Sequence, residues 1–211
     1  MIFMSLILIG AGNHCKAVID IVKMNNEKII GIVDDDSNLH ESKLLDIPVI
    51  GNLDKIEQFD ENEVKLIITI GKPYIRKTIY ENFLNKGYTF ANAVHPNTCI
   101  SNYACLGNGV IINSGTAIHP DVKIKDNVII GLNSTISHDS LVDLHSHISP
   151  GVNIAGGTTI GSSVDIGINA SIIQNIKIGD KSIIGAGAVV VDDIQEKCTA
   201  VGVPAKPIKF H

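Results

Sequence analysis

The sequence predicts a chain in two parts, a small parallel α/β domain over residues 1–94 and a parallel β-helix over residues 95–211. Three observations carry this. An aliphatic residue falls at every sixth position from Ile100 to Val190, sixteen times in register. The fourth residue after each of them is small or β-branched, from Ala104 and Val110 to Ala188 and Ile194. Ahead of the repeat, short apolar runs alternate with helically spaced ones and end in Gly or Asp.

Residues 5–9 form an apolar run closed by Gly10-Ala11-Gly12-Asn13-His14, after which Ala17, Val18, Ile21 and Val22 recur at helical spacing: strand, glycine turn, helix. A second strand, Ile29–Val33, ends in Asp34-Asp35-Asp36, and a third, Val64–Ile70, ends at Gly71 before a helix from Tyr74 to Lys86. This alternation predicts a Rossmann-like sheet, whose ligands gather outside the carboxyl ends of the strands. Those ends carry Gly12, Asn13, His14, Asp34, Asp35 and Gly71. Cys15 stands where a third glycine would complete a dinucleotide fingerprint, which argues against NAD. Backbone N–H groups at a helix N-terminus still suit a phosphate, and a carboxylate after the second strand suits a ribose or base. The expected ligand is a nucleoside diphosphate group; plain turn glycines beside a solvated acidic loop are the alternative.

A period of six fits neither a helix nor a single strand, but it fits a strand of a few residues and a sharp corner, repeated. If three hexads close one triangular coil of eighteen residues, residue n stacks on n+18 at the inter-strand spacing of ~4.8 Å. The aliphatic and small residues then fill the prism, and the other positions face outward or turn the corner. An ordinary sandwich with chance periodicity is the alternative. His95-Pro96 marks the join, Val189–Gln195 finishes the last coil, and residues 200–206 read as a proline-stiffened tail.

With 45% hydrophobic and 18% charged residues in 211, the chain can bury a sizeable core. A net charge of −5 without basic clusters argues against nucleic acid or an anionic membrane as partner. The apolar runs are strand-sized, and Met1-Ile2-Phe3-Met4 lacks the basic start and cleavage site of a secretory signal. Cys15, Cys99, Cys105 and Cys198 show no CxxC pairing, so reduced thiols in a cytoplasmic protein are expected.

The hexads, the segments Ile136-Ser137-His138-Asp139-Ser140 and His147-Ile148-Ser149-Pro150-Gly151, the tail Val201–Lys206 and the amino-terminal Gly10–His14, Asp34-Asp35 and Ile70-Gly71 together resemble bacterial hexapeptide-repeat sugar acyltransferases. The nearest branch acetylates nucleotide-linked 4-amino sugars and includes sialic acid O-acetyltransferases. The resemblance implies a left-handed β-helix, a homotrimer and acetyl-CoA as co-substrate. It implies an acetyl-CoA contact from His147, backbone contacts to CoA near Ile168 and Ala186, and an adenine contact from the tail around Pro204 and Lys206. The implied activity is N-acetylation of a nucleotide-linked (UDP, dTDP or GDP) 4-amino-4,6-dideoxy sugar for surface glycans such as lipopolysaccharide O-antigen. O-acetylation of a sialic acid or other sugar, and a non-catalytic trimeric binding module, are the competing readings.

His138 is the third residue of its hexad, an outward corner, so it is either a solvated histidine or a general base. An amine must lose a proton as it attacks a thioester, which imidazole is suited to accept. Asp139 would hold the ring. Eighteen residues on stands Gly156, whose N–H could face the developing oxyanion and lie against the donor. His147 follows His138 by nine residues, half a coil, so the two should share a site only across a subunit interface. His145-Ser146-His147 reads as two imidazoles on one strand face, the beginning of a zinc site, but no third ligand is evident and no metal is expected.

Overall fold

The computed structural model describes residues 4–211, so the expectation about a secretory signal lies mostly outside the described residues. The amino-terminal unit consists of β1 (Ser5–Ile9), α1 (Asn13–Met24), β2 (Ile29–Val33), β3 (Lys43–Leu44), β4 (Ile47–Gly51), β5 (Val64–Ile68), α2 (Pro73–Asn85) and β6 (Thr89–Phe90). Its sheet runs β3-β4-β2-β1-β5-β6, parallel except for the β3–β4 pair. The chain goes from β1 to β2 on one side and returns to β5 on the other, so a crevice opens at the carboxyl ends of β1 and β5. The third expected strand stops at Ile68, not Ile70. There the Thr69 hydroxyl donates to the carbonyls of Ile9 and Gly10, at 2.9 and 2.6 Å, and turns the chain. β3, β4 and β6 carry no clear periodic signal, being two residues long or interrupted by Pro48.

The repeat forms a left-handed parallel β-helix with three walls. The first wall stacks Ala93–Val94, Ile111–Ile112, Ile129–Ile130, His147–Ile148, Asp165–Ile166, Ile183–Ile184 and Cys198–Val201. The second runs from Cys99–Ile100 to Val189–Val190 and the third from Cys105–Leu106 to Lys177–Ile178. Partners stand eighteen residues apart on every wall, as in Ile129↔His147, Thr135↔Asn153 and Leu141↔Thr159, until the last rung, where Ile183 pairs with Thr199. The aliphatic position is buried from Ile112 to Val190 and only partly so at Ile100 and Leu106, in the end coil.

Both ends differ from expectation. Val94, six residues before Ile100, pairs with Ile112, so the first coil begins at Ala93 and His95-Pro96 lies inside it instead of marking a join. The segment read as a tail begins inside a further rung, Cys198–Val201, on which Lys206–Phe210 folds back antiparallel. Cys198 and Ala200 point into the core, which is why the chain keeps to the wall there.

The corners are regular. Every sixth residue from Asp121 through Asn127, Asn133, Asp139 and His145 has φ between 55° and 62°. That left-handed backbone is least strained for Gly, Asn and Asp, the residues found at most of these corners.

Two apolar layers fix the small unit in place. α1 buries Cys15, Val18, Ile19 and Val22 against Leu6, Leu8 and Ile32 of the sheet and against Ala93, Ile111 and Ile129 on the first wall. On the other side of the sheet, Tyr80 and Phe83 of α2 pack on Ile7, Ile9, Leu66 and Ile68. The outward positions Ile111 and Ile129 are therefore apolar because α1 covers them. The next two outward positions on that wall are His147 and Asp165.

Candidate active site

His138 and Asp139 turn the corner between the second and third walls. Asp139 is the left-handed residue of its hexad, with φ 59°, and its Oδ2 lies 2.8 Å from His138 Nδ1. The two side chains are 63% and 67% exposed, so a substrate can reach the free ring nitrogen directly. Gly156 sits against the ring: a Cβ there would lie 2.7 Å from His138 Cε1 and 2.8 Å from Nε2. The Gly157 N–H donates to the His138 carbonyl at 2.9 Å, and the Asn175 N–H to that of Gly156 at 3.0 Å, which locks the rungs. A cleft of about 500 Å³ borders this corner over the second wall, lined by His119, Ser137, Ala155 and Gln174.

Gly156→Ala is a clean test of that packing, because the added methyl must displace an exposed imidazole and nothing in the core. The expected result is a fall in kcat of ~10²-fold, the usual effect of misplacing a catalytic group by about 1 Å. The melting temperature should hardly change. Steady-state kinetics and a thermal melt check both.

His147 lies on the first wall, which is opposite the corner of His138 in the triangular section. Its Nδ1 is 3.9 Å from Asp165 Oδ1 one rung on, and a Cβ on Gly71 would stand 3.5 Å from its Cε1. Burial first, then the charges of Arg76 and His14, hold its pKa down at about 4. His14 is lowered by burial and then by Arg76, and its Nε2 is buried with no hydrogen-bond partner among the described residues. The structure thus brings His14 and Gly71, read as substrate residues, together with His147, read as a donor residue.

His145 corrects the expectation of two imidazoles on one strand face. It is a corner residue with φ 62°, outside the His147–Ile148 strand, and its Nδ1 accepts from Asn127 Nδ2 at 2.9 Å. Its ring packs edge-on to Tyr80 at 5.5 Å, and burial pushes its pKa down to about 4. Among the described residues, no group of three His, Cys, Asp or Glu side chains is placed to hold a metal ion.

These histidines imply acid lability. Above pH ~6.5 both the folded and unfolded chains hold them neutral. Between that value and about 4 the unfolded chain takes up protons that the folded chain refuses at His145 and His147, so stability falls as pH is lowered through the window. Melting temperatures measured from pH 7 down to pH 4 should decline steadily.

In the small unit, Gly12 caps α1 with extended backbone, and nothing lies within 4 Å of a Cβ placed on it. Asn13 beside it is exposed, and no acidic residue occupies the first turn of α1, so the positive end of the helix dipole is left free. Asp34 departs from its expected role as a free ligand group. Its Oδ2 accepts the Ala11 N–H at 2.6 Å and its Oδ1 the Asp36 N–H at 2.9 Å, latching the glycine turn to the end of β2. Asp35 accepts the Leu53 N–H at 3.1 Å and remains exposed.

Ile168 and Ala186 are exposed one rung apart at the corner between the first and second walls, where the Gly187 N–H donates to the Ile168 carbonyl at 2.7 Å. The turn holding Pro204 is tied to Val189 just beyond, by Val189 N–H to Gly202 at 3.0 Å and Ala205 N–H to Val189 at 2.8 Å. Lys206 is exposed, its Nζ 3.3 Å from Asp192 Oδ2. Among the described residues no helix is long and apolar enough to cross a membrane.

Residues 5–83 match the model of the PglD N-terminal domain. A structure of GDP-perosamine N-acetyltransferase from Caulobacter crescentus, a histidine-to-alanine variant in complex with CoA and GDP-perosamine, superposes with a TM-score of 0.92 at 31% identity, over 97% of both chains. The acetyltransferase domain of PglB from Neisseria gonorrhoeae, in complex with acetyl coenzyme A, gives 0.91 at 32% identity, over 97% of this chain and 98% of that one. A curated Schizosaccharomyces pombe protein named as an acetyltransferase is 53% identical over 38 residues, and the match spans 18% of each chain. With likeness of this extent running through both units, the chain belongs to the PglD-type family of hexapeptide-repeat sugar acetyltransferases.

Proposed function

We propose that this protein transfers the acetyl group of acetyl-CoA to the 4-amino group of a nucleotide-linked 4-amino-4,6-dideoxy sugar. The observation that carries the reading is the accessible His138 ring, held by Asp139 at 2.8 Å and packed on Gly156. The His138 Nε2 accepts the proton that the sugar amine gives up as its nitrogen bonds to the thioester carbonyl carbon. Asp139 holds the Nδ1–H and stabilises the imidazolium. The Gly156 backbone N–H faces the oxyanion of the tetrahedral intermediate. Collapse breaks the C–S bond, and the CoA sulfur leaves as thiolate or takes the proton back from His138. The crystallised relatives hold CoA or acetyl coenzyme A, and one of them GDP-perosamine, which supports the same pair of substrates here.

The nucleotide is assigned to the crevice of the small unit, at Gly12, Asn13, His14 and Asp35, with Gly71 beside His147. That crevice belongs to the side of the first wall, whereas His138 turns the opposite corner, so a substrate held there reaches the His138 of a neighbouring subunit. This favours a homotrimer with shared sites, and acetyl-CoA and a nucleotide sugar as substrates favour action in the cytoplasm on precursors of surface glycans.

Gly12→Val and Asp35→Ala test the assignment. Each should raise KM for the sugar nucleotide several-fold and leave KM for acetyl-CoA nearly unchanged, with melts to confirm that losing the Asp35–Leu53 bond has not loosened the fold. Mass spectrometry of products from a panel of amino-sugar nucleotides identifies the acceptor. Equal turnover of the free sugar would overturn the nucleotide reading in favour of O-acetylation of a free sugar.

A further inference from the structure

Arg76 is fully buried on α2, and among the described residues no carboxylate stands within ion-pair distance of it, although Asp165 acts on it from farther off. All five of its N–H donors go instead to main-chain carbonyls. Nη1 donates to Ile70 at 3.0 Å and to Gly71 at 2.6 Å. Nε donates to Asn127 at 3.0 Å, and Nη2 to His145 at 2.6 Å and Ser146 at 3.1 Å. Asn127 replies by donating to the Arg76 carbonyl at 3.3 Å. Two of the five bonds hold the turn after β5, and three hold consecutive coils of the β-helix, the last of them at the residue before His147. Removing a charge from water without an ion pair is costly, and packing alone gives no reason to keep it here.

We propose that Arg76 is a positioning residue: its guanidinium fixes the Gly71 turn against the coil that carries His147, so that the sugar-nucleotide crevice and the acetyl-donor wall keep one spacing. The role rests on the proposed function for its kinetic consequences and on the geometry alone for its structural ones. A planar fork with five donors can bridge carbonyls from three segments at once; an ammonium has three donors and no fixed plane. The same charge bears on the imidazoles around it. His147 is faced by Arg76 from α2, His14 from α1 and Asp165 from the next rung, and His14 is faced by Arg76 and His147. Arg76 depresses both rings and so helps to keep them neutral near pH 7, able to donate and accept one hydrogen bond each.

The test compares Arg76→Lys with Arg76→Met. Arg76→Lys keeps the charge and loses two donors. It is expected to retain the circular-dichroism spectrum, to raise KM for the sugar nucleotide about tenfold and to speed exchange about tenfold at the Thr69 and His147 amides, which are bonded to Ile9 and Val164 beside the two tied segments, as loosened positioning requires. The His147 titration, followed by NMR, should stay where it is. Arg76→Met removes the charge, so the His147 and His14 midpoints should move upward. If Arg76→Met does not fold, Arg76→Lys still decides the question. A folded Arg76→Lys protein with a lowered melting temperature but wild-type KM values and wild-type exchange at Thr69 and His147 would reduce Arg76 to a structural rivet and overturn the proposal. If no nucleotide amino sugar is turned over by the parent protein, the proposed function fails, while the exchange and titration measurements still judge Arg76.

Discussion

His138→Ala should lower kcat by ~10²- to 10⁴-fold, the usual contribution of a positioned general base. Binding of CoA should change little, because the CoA residues assigned above, except Gly156, stand on other parts of the prism. The melting temperature should not fall, since the side chain is 63% exposed and lies against Gly156 and Asp139 at the surface. Asp139→Asn is the informative companion. Asparagine accepts the left-handed backbone at φ 59° as readily as aspartate does, so the corner survives and only the carboxylate is lost. Its effect on kcat should be smaller than that of His138→Ala, whereas Asp139→Ala would mix the chemical loss with backbone strain. Wild-type kcat in His138→Ala at neutral pH would place the base elsewhere.

Two impaired variants should complement each other when mixed. His138→Ala spoils the corner between the second and third walls, and Gly12→Val spoils the crevice beside the first wall. If each site takes its corner from one subunit and its crevice from the next, random exchange between the two trimers leaves about a quarter of the sites with both parts intact. Denaturing and refolding the variants together should thus return at least roughly a quarter of the wild-type rate at limiting sugar nucleotide, well above the mean of the two variants refolded alone. Sedimentation equilibrium should place the parent near three times 22.6 kDa. Absence of recovery, with trimers formed, would mean that each chain builds its own site.

The repeat was legible because its physics is periodic: a six-residue step with an inward aliphatic predicts walls, register and the stacking of Gly156 on His138 without any knowledge of side-chain contacts. β1, β2 and the starts of both helices were legible for a similar reason, an apolar run broken by glycine or aspartate. Two kinds of feature escaped. The roles of Asp34 and His145 depend on which backbone group lies nearest in space, and one sequence does not say that Ala11 or Asn127 will be there. Arg76 escaped although a signal existed. Arg76, Tyr80 and Phe83 lie three and four residues apart on the buried stripe of α2, and a charged residue on such a stripe asks for buried partners. The meaning of the apolar Ile111 and Ile129 followed by His147 and Asp165 also emerges only once α1 is seen to cover the first pair.

The stacking of coils has a mechanical consequence. Within the β-helix each coil bonds to the coil before and the coil after, so the cohesion of the rod itself is a sum of nearest-neighbour terms, to which α1 and Arg76 add ties from the small unit, and unzipping starts at the free ends. Three rungs of the first wall precede His138 in sequence and four follow it before the returning strand Lys206–Phe210. The His138 corner therefore sits where a fray from either end arrives last, and its neighbours can loosen without carrying the imidazole out of register with Gly156. A rod of this kind can shelter a geometry accurate to fractions of an ångström while leaving the side chains that form it open to solvent.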